Sequence, residues 1–266
     1  MSDRLKNKVV IVSGAGSVGP GWGNGRAIAY RFAQEGAKVF GVDLNPDALL
    51  ETVAKVREVD GEIATWQADV TSDEAVRSMV QACIETYGRV DVLVNNVGGS
   101  KKGGPVKLDE TTWDQQIDFN LKSVFLGCKH VLPVMEEQRS GSIVNISSTS
   151  GIRWTGSAQV AYASAKAGVI QFSRVVAVEY AKKNIRCNTV IPGQMHTPMV
   201  EARLAGQRSG GDIEGLLAQR QSRIPLPFMG DGIDTANAAL FLASDEARFI
   251  TGTEILVDGG MSARCD

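Results

Sequence analysis

The chain has 266 residues, is 43% hydrophobic and 22% charged, and carries a formal net charge of −2. This is the composition of a globular protein that can bury a sizeable core without staples, and its charge gives no footing for nucleic acid. No run reaches the roughly 18 apolar residues of a membrane span, and the N-terminal MSDRLKNKVV has no secretory h-region, so a cytoplasmic protein without membrane contact is expected.

The predicted elements alternate along the chain. Short apolar runs at 8–13, 37–42, 62–68, 91–95, 142–147, 185–190 and 254–257 read as strands. Helix-period stretches at 26–35, 46–59, 72–87, 111–138, 159–182 and 232–243 lie between them. Strands such as KVVIVS and VDVLVN are nearly all apolar, as in a parallel sheet covered on both faces. Repeated β-α-β with short connections predicts a doubly wound α/β fold. No linker splits the chain, so a single domain over 1–266 is expected. The polar stretch 198–230 has no strand signal and reads as a substrate flap. Cys83, Cys128, Cys187 and Cys265 are widely separated and show no CxxC spacing, so no disulfide framework and no metal site is expected.

The first strand runs into GAGSVGPGWGNG, residues 14–25, with six glycines in twelve positions. Strand, glycine loop and helix form the layout that binds a dinucleotide pyrophosphate. Gly14-x-Gly16-x-x-Gly19 fits one spacing, but Pro20, Gly21, Gly23 and Gly25 would then fall in the first helical turns, which such residues disfavour. The first credible helix starts near Gly25-Arg26. Gly14, Gly23 and Gly25, with Ser13 and Asn24 beside them, are therefore the expected phosphate-facing group. Ala15–Trp22 becomes a widened lip over the adenosine-pyrophosphate end. Asp43 lies 18 residues after Gly25, close to the spacing of a ribose-binding carboxylate. It would accept from a ribose 2′-hydroxyl and repel a 2′-phosphate. Leu44-Asn45 offers that phosphate no cation, so NAD is favoured over NADP.

Tyr162 and Lys166 are spaced i, i+4 and share a helix face. A nearby ammonium favours a phenolate, so this tyrosine suits proton exchange with an alcohol or carbonyl. Ser147-Ser148 ends the preceding strand at the carboxyl edge, where α/β sites form. Gly151, three residues beyond Ser148, selects Ser148 over Ser147 for the substrate oxygen.

These features together resemble the short-chain dehydrogenase/reductase family in its single-domain branch of about 250 residues. The likeness covers nearly the whole chain. Ser13-Gly14 followed by Gly23-x-Gly25 matches TGxxxGxG, with Ser for Thr and about five residues inserted. Asp69-Val70 matches the adenine-contacting pair. Asn95-Asn96-Val97-Gly98 matches NNAG, and Pro192-Gly193 through Thr197 matches PGxxxT. Val257-Asp258-Gly259-Gly260 matches VDGG. The resemblance implies a Rossmann fold with a mostly or wholly parallel seven-stranded sheet. It makes Tyr162 the general acid/base, with Lys166 supporting it and binding the nicotinamide ribose. Ser148 would orient the substrate oxygen, and Asn120 would hold a relay water. Asp43, Leu44, Asp69, Val70, Asn96, Gly98, Pro192, Gly193, Met195 and Thr197 join the cofactor set. Thr197 would hold the carboxamide. Trp154, Gln159, Gln194 and His196 are candidate substrate contacts. Lys101, Lys102 and the arginines Arg203, Arg208, Arg220 and Arg223 either favour an anionic substrate or are simply solvated.

The implied activity is NAD-dependent hydride transfer between a secondary alcohol or polyol and its ketone, by a homotetramer. Alternatives are an NADPH-using 3-oxoacyl-type carbonyl reductase and a non-catalytic dinucleotide sensor. Asp43 argues against the first. The joint presence of Asn120, Ser148, Tyr162 and Lys166 argues against the second.

Overall fold

The computed structural model describes residues 3–265, apart from the side chains of Ala205 and Arg208. Seven strands form one sheet: β1 (Val9–Ser13), β2 (Lys38–Asp43), β3 (Glu62–Gln67), β4 (Val92–Asn95), β5 (Gly141–Ile146), β6 (Ile185–Pro192) and β7 (Glu254–Val257). All pairings are parallel, in the order β3-β2-β1-β4-β5-β6-β7. The direction of winding reverses between β1 and β4, so the carboxyl edge opens a crevice there.

The strand sequence sets the two layers. Along β1, Val9 and Ile11 enter one core while Val10 and Val12 enter the other. The period of two places alternate side chains on opposite faces. The first core takes α3 (Asp73–Tyr87), α5 (Ser123–Gln138) and α6 (Val160–Tyr180), through residues such as Met79, Val131 and Val169. The second takes α1 (Asn24–Gln34), α2 (Asp47–Arg57) and α9 (Gly232–Ala243), through residues such as Phe32, Val56 and Leu240. Each such apolar side chain contributes about 1.5–3 kcal/mol by leaving water. The termini carry their own signals. Ser72 caps α3, which ends at Gly88 in the left-handed region at φ 80°. Asp231 and Asp234 form a capping box on α9.

Two stretches differ from their sequence patterns. The helix expected over 111–138 is α4 (Glu110–Ile117), then a π-helical turn at Asp118–Lys122, then α5. An apolar period cannot report a one-turn change of winding, because the buried stripe runs through it. The expected flap is helical, with a π turn at Val200–Leu204, α7 (Ala205–Arg208) and α8 (Ile213–Gln221). No helix among the described residues is long and apolar enough to cross a membrane.

Candidate active site

The glycine loop leaves β1 at Gly14, whose φ of 67° suits a residue without Cβ. The helix α1 begins at Asn24 with Gly23 as N-cap and no side-chain cap, so its first amide groups have no side-chain acceptor. A side chain at Gly25 would collide with the Gly14 carbonyl oxygen. The helix start is thereby pressed against the end of β1. Beside this start, the Ser17 Oγ and Asn24 Oδ1 are buried without hydrogen-bond partners. An uncapped helix N-terminus beside a partnerless Ser17 hydroxyl fits a pyrophosphate, whose oxygens would accept from the first amide groups of α1 and from that hydroxyl; the Asn24 amide oxygen is itself an acceptor and takes no part.

Asp43 ends β2. Its carboxylate accepts from the Gly16 and Asn45 N–H groups, both at 3.0 Å, which fixes it beside the glycine loop. Gly16 was not among the expected cofactor residues. A Cβ there would lie 2.6 Å from the Ala48 Cβ and 2.8 Å from the Asp43 Oδ2, so the loop can approach the carboxylate only with glycine. Leu44 is exposed beyond it. Asp69 is exposed and closes a turn on Thr71, with Oδ1 accepting at 2.9 and 2.7 Å; Val70 beside it is buried.

Ser13 and Asn96 tie the ends of β1 and β4 together. The Ser13 hydroxyl donates to the Val94 carbonyl and accepts from the Asn96 N–H, each at 3.2 Å. Asn96 Nδ2 donates to the Gly14 carbonyl at 3.0 Å. Both side chains therefore shape the loop that faces the crevice. Gly98 packs against the next group inward: a Cβ there would lie 2.9 Å from both the Lys166 Nζ and the Asn120 Oδ1.

Lys166 is buried on α6 and donates from Nζ to the Ile146 carbonyl at 2.9 Å. Burial disfavours its charge and lowers its pKa from 10.5 to about 8. Its Nζ lies 5.9 Å from the Tyr162 ring centroid, one helical turn away. Asn120 sits in the π-helical turn, fully buried. Its Oδ1 accepts from the Gly99 N–H at 3.0 Å, while Nδ2 donates to the Gln116 and Gly99 carbonyls at 2.9 and 3.1 Å. Such turns recur at functional sites because they break the regular ladder locally.

The two serines after β5 have separate tasks. Ser147 is buried and donates to the Lys166 carbonyl at 2.8 Å. Ser148 is half-buried, and its Oγ accepts from the Ser150 N–H at 3.2 Å, which leaves the hydroxyl proton for another acceptor. A Cβ at Gly151 would lie 2.8 Å from the Ala167 nitrogen, so this loop rests directly on the backbone of α6.

The run after β6 forms the opposite wall. Pro192 ends the strand; Gly193 donates to the Val257 carbonyl at 2.8 Å, and a Cβ there would meet that of Asp258 at 2.6 Å. Met195 is buried. His196 is exposed, its ring 3.3 Å from Glu201 Oε1. Thr197 is half-buried, and its carbonyl accepts from the Val200 N–H at 2.9 Å. Of the candidate substrate contacts, Gln194 lines a cavity. Gln159 is buried and donates to Ser150 and Thr155 at 2.7 and 3.0 Å. Trp154 is 76% exposed and stands outside this cluster.

The inserted residues form an excursion. A Cβ on Gly23 would lie 3.0 Å from the Ser17 Oγ, so the two ends of Val18–Trp22 meet. Arg26, buried in α1, closes the excursion. Its Nη1 donates to the Gly19 and Gly21 carbonyls at 3.2 and 2.7 Å and pairs with Glu51 at 2.7 Å. Trp22 lies on Tyr30, ring centroids 4.9 Å apart. Sequence reasoning missed Arg26, since nothing local tells a helical arginine from one that folds back onto its loop.

A doubly wound parallel sheet with a glycine loop and an uncapped helix start at its switch point, and with Tyr162, Lys166 and Asn120 beside it, is an arrangement suited to an oxidoreductase of the nicotinamide-dinucleotide class. The chain belongs to the short-chain dehydrogenase/reductase family, whose members act on CH–OH and carbonyl groups. A family model described as enoyl-(acyl carrier protein) reductase matches residues 20–262. A 3-oxoacyl-(acyl-carrier-protein) reductase from Thermotoga maritima is 39% identical over 258 residues, 97% of this chain and 99% of that protein. The crystal structure of a Burkholderia xenovorans protein classed among the short-chain dehydrogenase/reductases is 62% identical, with a TM-score of 0.96 and 99% of each chain covered. Carveol dehydrogenase from Mycobacterium avium, solved in complex with NAD, is 35% identical, with a TM-score of 0.89 and coverage of 98% and 99%.

Proposed function

We propose that the protein is an NAD-dependent dehydrogenase that interconverts a secondary alcohol and its ketone. What supports this reading most is that the Lys166 Nζ lies 5.9 Å from the Tyr162 ring and, with Asn120, packs against Gly98, while Ser148 follows β5 and Asp43 is held by the glycine loop through Gly16. The dinucleotide, when bound, supplies the hydride acceptor or donor. The chain handles the proton. Tyr162 Oη takes it from the carbinol during oxidation and returns it during reduction. Ser148 Oγ hydrogen-bonds the same substrate oxygen. The Lys166 ammonium stabilises negative charge on Tyr162 and would hold the nicotinamide ribose. Asn120, locked to Gly99, would anchor the water that relays the proton outward. The cradle would be made by Gly14, Gly16, Gly23, Asn24 and Gly25 with Asn96, and the carboxamide held by Thr197. Asp43 supports NAD because its fixed carboxylate would repel a 2′-phosphate.

We further infer that the chain forms a homotetramer in the cytoplasm. Val175 and Val178 on α6, Leu256 on β7 and Phe249 are all more than half exposed or nearly so, an apolar surface suited to a second copy. Cys83, Cys128 and Cys187 are buried free thiols, in keeping with a reducing compartment.

The test is reduction of NAD, and separately of NADP, across secondary alcohols, polyols, sugars and hydroxysteroids, with Tyr162→Phe as control. Turnover with NAD that falls by about 10²- to 10⁴-fold in the variant, with NADH binding kept, is expected. Turnover with NADP alone would overturn the reading of Asp43.

A further inference from the structure

We propose that the cavity between the loop after Ser148 and α8 is an anion site, and that the substrate carries a carboxylate remote from its reacting carbinol. This rests on the dehydrogenase reading above and names the substrate class of that site.

The cavity measures about 230 Å³. Its charged lining residues among the described residues are Lys102, Arg220 and Arg223, with no aspartate or glutamate among them. These cations come from two separate places in the chain: Lys102 from the glycine-rich loop after β4, and Arg220 and Arg223 from the end of α8 and the turn just beyond it. Only the fold brings them together. The protein as a whole is slightly acidic, so Lys102 and Arg223 facing one cavity, with Arg220 in its wall and no carboxylate among the described lining residues, make a local field that draws anions.

The site is built rather than loosely decorated. Arg220 is buried, and its Nη2 donates to the Met195 carbonyl at 3.0 Å. Arg223 donates from Nη1 to the Thr155 carbonyl at 2.8 Å. The Gln194 amide, with its oxygen turned toward Arg223, accepts from Nη1 at 3.1 Å and donates to the Arg220 carbonyl at 3.3 Å. Gly156 has φ 82°, and a side chain there would run into the Arg223 guanidinium. The guanidinium lies flat on that backbone, with its position set before any ligand arrives.

Scaffold arginines of this protein sit on carboxylates or, like Arg186 on the Leu242 and Ser244 carbonyls, on backbone oxygens. Arg26 pairs with Glu51 at 2.7 Å and Arg89 with Asp91 at 2.6 Å. Arg223 and Lys102 have no carboxylate within 4.0 Å among the described residues. A guanidinium has five donors in a planar fork that matches a carboxylate. Both walls also lead to the reaction centre. Gly156 and Ser157 lie on the segment joining Ser148 to Tyr162, and Gln194 lies on the run ending at Thr197. A substrate with its carbinol at Ser148 and Tyr162 can therefore extend its other end between these walls.

The experiment compares acetoacetate, levulinate and 5-oxohexanoate with their methyl esters, using NADH at saturation and low and high salt. For the chain length that spans the two sites, kcat/KM for the acid exceeds that for its ester by about tenfold or more, and salt shrinks the preference. Arg223→Gln lowers the acid-to-ester ratio by about tenfold. The exposed Lys102→Met, which places no demand on folding, lowers it by about threefold. Glutarate and dimethyl glutarate titrated calorimetrically into the NADH complex report binding without turnover. Esters used as well as acids at every length, a ratio unmoved by both substitutions, or glutarate that binds no better than its diester overturns the anion site. NADH fluorescence separates the two readings. NADH binding with turnover of esters alone removes the anion site and keeps the dehydrogenase; absence of NADH binding removes both.

Discussion

Lys166 should make the free protein less stable at neutral pH than a variant without the ammonium. In the unfolded chain this lysine holds its proton up to about 10.5. In the fold, burial brings the pKa to about 8. Between those values the unfolded state binds more protons than the folded one, so stability rises with pH across that window. The cost is complete below about 8 and gone above about 10.5. Its size is about 3 kcal/mol at pH 7 and about 1.4 kcal/mol at pH 9.5, a relief of about 2 kcal/mol. Urea unfolding of the cofactor-free wild type and Lys166→Met at the two pH values measures it. The Cys83 and Cys187 thiols and the Tyr87 phenol, which burial pushes up to about 12, are present in both proteins and cancel in the difference. The stability gap between the two proteins should shift by about 2 kcal/mol in favour of the wild type on going to pH 9.5. A gap that stays constant would mean that the ammonium is not desolvated in the fold, and the reasoning would fail.

The serines should separate. Ser148→Ala should cost turnover at unchanged NADH affinity, whereas Ser147→Ala should cost about 1 kcal/mol of stability through its buried bond to the Lys166 carbonyl, as read by urea unfolding. Asp43→Asn keeps an acceptor for Gly16 and Asn45 but removes the charge. Steady-state kinetics should show kcat/KM for NADP rising relative to NAD by about tenfold or more. Deleting Val18–Trp22 strips Arg26 of the Gly19 and Gly21 carbonyls, so NADH fluorescence titration should give a Kd about tenfold weaker, with a smaller change in substrate preference. A change confined to substrate preference would sink the idea of a lip over the cofactor.

The sheet is legible in the sequence because its inner strands are buried on both faces, so runs such as Val9-Val10-Ile11-Val12 stand out without any register information, while the edge strands β3 and β7 are partly exposed. Strand ends move by a residue or two, and one such shift is informative. The run expected at 142–147 ends at Ile146, which leaves Ser147 and Ser148 beyond the last paired residue. The spacing to Gly151 picks Ser148, and the contact of this glycine with α6 supplies the reason. The π turn at Asn120 is hidden, because one extra residue in a helical turn leaves the apolar stripe nearly intact. Lys102, Arg220 and Arg223 are hidden for another reason. Each looks like an ordinary solvated cation in its own segment, and their convergence depends on the loop after β4 meeting the end of α8.

The surplus glycines of the first loop follow from close approach rather than from a longer phosphate contact. Gly14 and Gly25 let the end of β1 touch the start of α1, and Gly16 lets the chain reach Asp43. Gly19 and Gly21 have a different use: their carbonyls are the acceptors for Arg26, and Gly21 turns the chain at φ 97°. The excursion then reaches beyond the cofactor cradle. A Cβ on Gly19 would lie 3.4 Å from Pro198, at the first residue of the helical segment that follows Thr197. Its far side is held as well, since a Cβ at Gly232 would lie 2.7 Å from the Trp22 carbonyl at the start of α9. An insertion anchored on α1, α9 and Pro198 joins the nucleotide end of the crevice to the segment that carries Arg220 and Arg223.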